Sequence, residues 1–223
     1  MNKTALLLST AMGVADLDKE TTAVRQLQFQ TGLDSVLDLT EQLNFTSVFI
    51  SDNTVSDVRS LSPSILESLA RIERISQFIF FDNWLGAKNK GAGVLTQLRT
   101  VLPALTGNFE RLVFFEPRQK IQDPAMFQRI LEADRDVFKV TTRLVLRRNL
   151  VPWIYREVHT GFFSVRYEAL QGFVNRHQPE ALASQSISLE RALYLHLRKH
   201  KIRFEKAGRL GLVRVTADRE YPI

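Results

Sequence analysis

Ser47-Val48-Phe49-Ile50-Ser51-Asp52-Asn53-Thr54 is a short apolar run that turns polar without a break. Such a run is too short for a helix, and its β-branched and aromatic side chains suit a buried strand over 47–51. Three other segments repeat the design. Thr4–Met12 is apolar, Gln77–Phe81 ends in Asp82-Asn83-Trp84, and Arg111–Phe115 closes on Glu116-Pro117-Arg118. Helical patterns lie between them. Thr21–Leu43 carries Val24, Leu27, Val36, Leu37, Leu39 and Leu43, which predicts one or two helices with a possible break near Gly32. Ser62-Pro63 opens a second helix, with Ser as cap and Pro in the first turn, where its missing N–H costs nothing; Ile65, Leu66, Leu69 and Ile72 give its apolar stripe. A Gly- and Lys-rich loop, Gly86–Gly93, leads to a helix that runs through Val101 and stops near Pro103. Asp123-Pro124 caps another, up to about Ala133. Strand and helix alternate four times with short links. That order predicts an α/β fold with a mostly parallel central sheet and helices on both faces.

The second half is more mixed. Val137–Leu150 predicts one or two strands and Phe162–Val165 another. Helices follow near Tyr167–Arg176 and Ser188–His200, and Ile202–Thr216 reads as strands around a Gly208–Gly211 turn. No internal repeat, low-complexity stretch or linker interrupts the chain, so residues 1–223 are expected to form one domain.

Composition narrows the class. The 223 residues are 44% hydrophobic and 24% charged, as expected of a chain that folds. Cysteine is absent, which removes disulfides and thiolate chemistry and makes a cytoplasmic location the natural expectation. Met1-Asn2-Lys3 before Thr4–Gly13 faintly mimics a secretion signal, but Asp16, Asp18 and Glu20 follow closely, and a buried first strand is the better reading. No run approaches the roughly 18 apolar residues of a membrane span. Charge is uneven: residues 1–110 hold 9 Lys/Arg and 12 Asp/Glu, whereas residues 111–223 hold 21 and 12. The basic half suits nucleotide phosphates or an anionic membrane surface, or is simply a solvated face. Its densest spots, Arg147-Arg148 and Arg198-Lys199-His200-Lys201, lack interleaved aromatics, so no nucleic-acid partner is expected.

In an open parallel sheet, ligands bind beyond the carboxyl ends of the strands. Four such ends carry polar groups here: Ser9-Thr10, Asp52-Asn53-Thr54, Asp82-Asn83 and Glu116 with Arg118. Each alone is compatible with a turn or a cap, and their recurrence is the signal. Lys88-Asn89-Lys90-Gly91-Ala92-Gly93 opens a helix, where backbone amides and lysines favour an anion. It matches neither GxGxxG nor a Walker A loop. His159, before Thr160-Gly161-Phe162-Phe163, could act as base, metal ligand or sugar contact, or be structural. Glu190 opens the late helix and either binds substrate or only meets the helix dipole. Asp134-Arg135-Asp136 has the DxD form of a metal-diphosphate site, but its place at a helix end, away from the strand ends, predicts no metal site there.

In order and spacing over roughly residues 4–200, these pieces resemble a bacterial family of GT-A-type glycosyltransferase-like proteins associated with surface polysaccharide and lipopolysaccharide synthesis. The matching segments are Asp52-Asn53-Thr54 for an "ENS" or "DNT" turn, Lys90-Gly91-Ala92-Gly93 for a basic Gly-rich loop, and Glu116-Pro117-Arg118-Gln119 for "TGRY". Thr160-Gly161-Phe162-Phe163 stands for "T-x-FF", and Ser188-Leu189-Glu190 for the acidic opening of the late helix. The resemblance implies a nucleotide-sugar donor held by Thr10, Asp52, Asn53, Lys90, Gly91, Gly93 and Arg118. It also implies a glycan acceptor served by His159 and Glu190, with dependence on a divalent metal left open. Two positions depart from the family. Val94 replaces the Glu that usually follows the Gly-rich loop, and only Arg118 survives of "TGRY". A catalytically degenerate binding or scaffold protein of the same fold is therefore the alternative, and another doubly wound α/β enzyme the third.

Overall fold

The computed structural model describes residues 4–13, 18–43, 47–71, 77–105, 109–146, 152–215 and 220–223. Met1-Asn2-Lys3, Asp16, Ile72, Arg147-Arg148 and Thr216, which entered the sequence reading, lie outside them. The chain begins β1 (Thr4–Thr10), α1 (Lys19–Leu43), β2 (Val48–Asp52), α2 (Pro63–Ala70), β3 (Gln77–Phe80), α3 (Leu85–Lys88), α4 (Lys90–Ala104) and β4 (Arg111–Phe115). It continues β5 (Gln119–Ile121), α5 (Pro124–Leu131), β6 (Asp136–Phe138), β7 (Val140–Leu146), β8 (Pro152–Val158) and β9 (Phe162–Arg166). The last elements are α6 (Tyr167–Arg176), α7 (Pro179–Ser184), α8 (Leu189–Lys199), β10 (Phe204–Lys206), β11 (Leu212–Val215) and β12 (Glu220–Pro222).

The central sheet has the order β10-β6-β9-β4-β1-β2-β3. Strands β3, β2, β1 and β4 are parallel, in register Leu8↔Ile50 and Leu8↔Phe115, as the alternation predicts. Strand β9 runs against β4 and β6, and β10 is parallel to β6. Two smaller sheets were not read from the sequence: β12-β11-β5, and the β7–β8 hairpin.

Period-two alternation sends successive side chains to opposite faces, and both faces are covered. On one face Leu6, Leu8, Ile50 and Phe115 pack with Phe29 and Leu33 of α1, Ile65 of α2 and Phe127 of α5. On the other Ala5, Leu7, Phe49 and Phe114 pack with Leu95 and Leu98 of α4, Phe173 of α6 and Leu193 of α8. Aromatic rings lock each layer: Phe127 stacks on Phe162 at 4.9 Å, and Phe114 on Phe163 at 5.0 Å. Each such buried side chain contributes roughly 1.5–3 kcal/mol.

Helix starts follow the cap chemistry. The side chains of Ser62, Asn89, Asp123 and Ser188 accept from the backbone amides of Ile65, Ala92, Met126 and Arg191. Helix α1 is a single rod, with no break at Gly32. Glycine serves close approach there: a Cβ would fall 1.7 Å from the Pro117 carbonyl oxygen. Among the described residues, no helix is long and apolar enough to cross a membrane.

Candidate functional site

The carboxyl ends of β1 and β2 stand side by side, with Thr10 in register with Asp52. Their polar side chains are tied together below the surface. Asp52, fully buried, accepts from Thr10 Oγ1 (2.7 Å), Met12 N (2.8 Å), Thr54 N (2.7 Å) and Thr54 Oγ1 (2.7 Å). Gln97, buried on α4, accepts from Ser9 Oγ at 2.6 Å and donates to the Ser51 carbonyl at 2.8 Å. The Gly93 carbonyl accepts from Asn53 Nδ2 (3.1 Å) and Asn83 Nδ2 (2.9 Å), so the loops after β2 and β3 are pinned to the start of α4. A satisfied buried network of this kind fixes geometry, because each lost partner would strand a desolvated polar group.

Above this floor lies a cavity of about 570 Å³, within the usual range for small-molecule sites. Thr10, Asn53, Asn83 and Gln97 reach it from below, and Arg25, Lys90, Glu116, Thr160 and Glu190 form walls. Trp84, 66% exposed, sits at the rim with the Lys88 ammonium 4.6 Å from its ring centre. Asn53 Oδ1 is buried, and among the described residues it has no hydrogen-bond donor.

The walls carry an unbalanced charge cluster. Glu116 is paired with Lys90 at 3.6 Å and with Arg118, whose Nε donates to it at 2.7 Å. Burial alone would raise the Glu116 pKa. The Lys90 and Arg118 charges, with the Arg118 hydrogen bond, overrule it and hold the carboxyl at about 2. Arg25 adds a third cation; its Nε donates to the Ala11 carbonyl at 2.6 Å. Burial lowers its pKa, and Arg118 pushes the same way. Lys90 keeps 62% of its side chain exposed toward the opening. Desolvation by the surrounding walls still lowers its pKa, against the pull of Glu116. Lys90, Arg25 and Arg118 gather around Glu116, with Glu190 on the same wall acting on Lys90 as a second carboxylate, and the N-terminus of α4 opens beside them, where an anion is favoured.

Of the nine residues singled out from the sequence, Thr10, Asn53, Lys90, Gly91, Gly93 and Glu190 line the cavity. Asp52 lies beneath it, its carboxylate occupied by four donors. Arg118 stands behind Glu116. His159 faces Gln119, with Nε2 3.4 Å from Oε1, and burial pushes its pKa down to about 4, so the ring is neutral near pH 7. Glu190 Oε1 accepts from Thr160 Oγ1 at 3.0 Å.

The two glycines of the basic loop have packing duties. Gly93 lies against Gly86 of α3, and Gly91 against the Leu189 backbone at the start of α8. Asp136 of the DxD segment is fully buried at the opposite, amino edge of the sheet, held by Arg111 and Arg166. Asp134 is exposed. Among the described residues no three His, Cys, Asp or Glu converge as a metal-ligand group.

Sequence reasoning missed Arg25, Gln97 and Trp84. Gln97 had a signal: it falls four residues after Gly93 and four before Val101, a polar residue on a buried stripe. Arg25 had none, since a lone arginine in a helix reads as a solvated face.

No protein-family model matches the chain, and no curated protein matches it in sequence. Solved structures do. The chain is similar to 4-diphosphocytidyl-2C-methyl-D-erythritol synthase from Anaerococcus prevotii DSM 20548, with a TM-score of 0.59 and 10% identity over 97% of this chain and 94% of that one. Mouse xyloside xylosyltransferase 1, in its apo form, aligns over 92% of this chain and 84% of that one, with a TM-score of 0.45 and 10% identity. The first likeness, together with the strand order, shows the fold: a GT-A-like α/β fold with a mostly parallel central sheet and helices on both faces.

Proposed function

We propose that this chain binds a nucleotide sugar in the cavity at the carboxyl edge of its sheet and transfers the sugar to a glycan acceptor. The observation that carries the reading is the meeting of Lys90, Arg25 and the N-terminus of α4 on one cavity of nucleotide size. The donor diphosphate lies against Lys90 and the amide of Gly91, because the Gly93 amide is spent on the Asn89 carbonyl at 3.0 Å. Arg118 acts on it through Glu116, and Asp52 acts by shaping the Thr10 and Asn53 floor. Asn53 Oδ1, lacking a donor among the described residues, accepts from the nucleoside. In a single-displacement transfer the acceptor hydroxyl gives its proton to Glu190 as its oxygen bonds the sugar carbon. The nucleoside diphosphate leaves with the electrons of the broken bond, and Lys90 stabilises its charge. His159, neutral and held by Gln119, orients the Thr160 turn that meets Glu190. The resemblance to surface-polysaccharide proteins makes a cell-surface glycan the acceptor; the absence of cysteine favours the cytoplasm, and the lack of a linker or repeat makes residues 1–223 one domain.

A second reading has its own observation. Val94, where the resembling family carries Glu, lines the cavity and presents an isopropyl group. A binding protein without turnover would keep the nucleotide site and lack the carboxylate. One experiment separates the readings. Thermal melting is followed with nucleoside diphosphates and nucleotide sugars, with and without manganese, and donor hydrolysis is assayed on those that bind. At 100 times the dissociation constant a ligand adds roughly 2.7 kcal/mol. A shift that Lys90→Ala abolishes, with hydrolysis, supports transfer; a shift without hydrolysis supports the binding protein. No shift with any nucleotide overturns both.

A further inference from the structure

The hairpin β7–β8 leaves the body beside the cavity. Val158 ends it, and Thr160, two residues on, lines the cavity wall. Its two faces have different fates. Tyr155 and Glu157 belong to the face covered by α8, where Arg191 donates to the Arg156 carbonyl at 2.8 Å and lies 5.4 Å from the Tyr155 ring centre. The other face starts in the core, where Val158 is buried and Val140 packs beside it. It then passes the Thr142–Arg156 pair and emerges at Leu144 opposite Ile154. These two aliphatic side chains are 62% and 69% exposed, directly paired, about 13 Å along the strand from the base. A cross-strand pair of bare aliphatics on an outer face is a marked cost in water.

The charge around them is one-sided. Residues 139–158 contain five Lys or Arg against one acid. The acid, Glu157, is buried and already paired with Arg143. Bare aliphatic side chains beside the exposed Arg156, on a segment of basic sequence, match the boundary of an anionic bilayer. Aliphatics enter the acyl region there while guanidinium groups meet phosphates.

We infer that the outer face of the β7–β8 hairpin, through Leu144, Ile154 and Arg156, docks this protein on an anionic lipid surface. Docking brings the Thr160–Glu190 side of the cavity toward the headgroup plane. A lipid-borne acceptor there rests on the transfer reading; the docking itself does not depend on it.

The test is co-sedimentation of the full chain with vesicles of phosphatidylcholine alone and of phosphatidylcholine with an equal share of phosphatidylglycerol. Binding is expected to the anionic vesicles only and to weaken with added salt. Arg156→Gln should weaken it about fivefold. Leu144→Ser with Ile154→Ser should weaken it tenfold or more, on the order of the transfer cost of two aliphatic side chains. All three side chains are exposed, so the variants should melt like the parent, and melting is measured alongside. Equal binding to both vesicle types, no binding to either, or full binding by the Leu144→Ser/Ile154→Ser variant overturns the proposal. So does a parent dimer that this variant dissolves without lipid, because a second copy then covers the face. Vesicle binding and nucleotide-induced melting shifts are separate readouts, so loss of one does not mimic loss of the other.

Discussion

A Cβ placed on Gly93 would lie 2.6 Å from the Cα of Gly86, so α3 and α4 touch backbone to backbone at the cavity floor. The contact is asymmetric. A Cβ on Gly86 would meet the Gly93 Cα at an ordinary 3.7 Å. Gly93→Ala must therefore push two helices apart, whereas Gly86→Ala makes an ordinary contact and lowers the conformational freedom of the unfolded chain, which favours folding. Urea denaturation should show Gly93→Ala destabilised by about 1–3 kcal/mol and Gly86→Ala neutral or slightly more stable. Equal effects would mean that the contact does not constrain the site.

Glu116 acts as an internal counter-ion. It neutralises part of the charge from Lys90 and Arg118 that an incoming diphosphate would otherwise meet. Glu116→Gln removes that competitor, so nucleoside diphosphate affinity should rise, by about tenfold for one unit charge a few ångströms away. Calorimetric titration measures it. Stability should fall in the same variant, because Arg118, only 17% exposed, loses its ion pair. Weaker nucleotide binding by Glu116→Gln would show that the carboxylate contacts the ligand instead.

His196 is buried on α8 with its ring 4.4 Å from that of His200 and 5.2 Å from that of His177. Burial, and after it the neighbouring basic groups of His200, His177, Arg176 and Lys199, push its pKa from 6.5 down to about 4. His159 is lowered to about 4 as well, mainly by burial. A lowered histidine pKa means that the unfolded chain takes the proton first. Stability is therefore full above pH 6.5 and falls as the pH drops toward 4. Each histidine adds a slope of at most about 1.4 kcal/mol per pH unit. Denaturation midpoints at neutral pH and in the middle of that window give the slope, and His196→Gln should flatten it. An unchanged slope in that variant would remove His196 from the account.

The sheet was legible because its strands announce themselves locally. Arg111–Phe115 is a strand with the boundaries read from its apolar run, and β2 needed a shift of one residue, to Val48–Asp52. Gly32 was misjudged because local propensity weighs glycine against helix, while the reason for it is a carbonyl from Pro117, far away in sequence. Strands β5 and β12 escaped for a similar cause, since three-residue strands carry almost no periodicity, whereas their partner β11 falls in the strand segment read over 202–216. At the site, Asn53 and Lys90 could be named because a strand exit and a helix opening are sequence features. The service of Arg25 in the wall could not, because no local pattern shows that its guanidinium turns back to the Ala11 carbonyl at the end of β1. Nor does any local pattern show that Arg118 points at Glu116 or that Asp52 is consumed by four donors.

The backbone amide of His159 donates to the Lys139 carbonyl at 2.7 Å, so the β7–β8 excursion departs and returns through a single latch. Strand pairing on either side of the latch, such as Val137 with Ser164, makes no use of the nineteen residues it encloses, 140–158. The excursion is thus rooted in the core at Val140 and Val158 but stands outside the central sheet. Beyond those two residues its length and chemistry can be exchanged without re-registering the sheet. A different outer hairpin can then be grafted onto the same base while the cavity floor keeps its geometry.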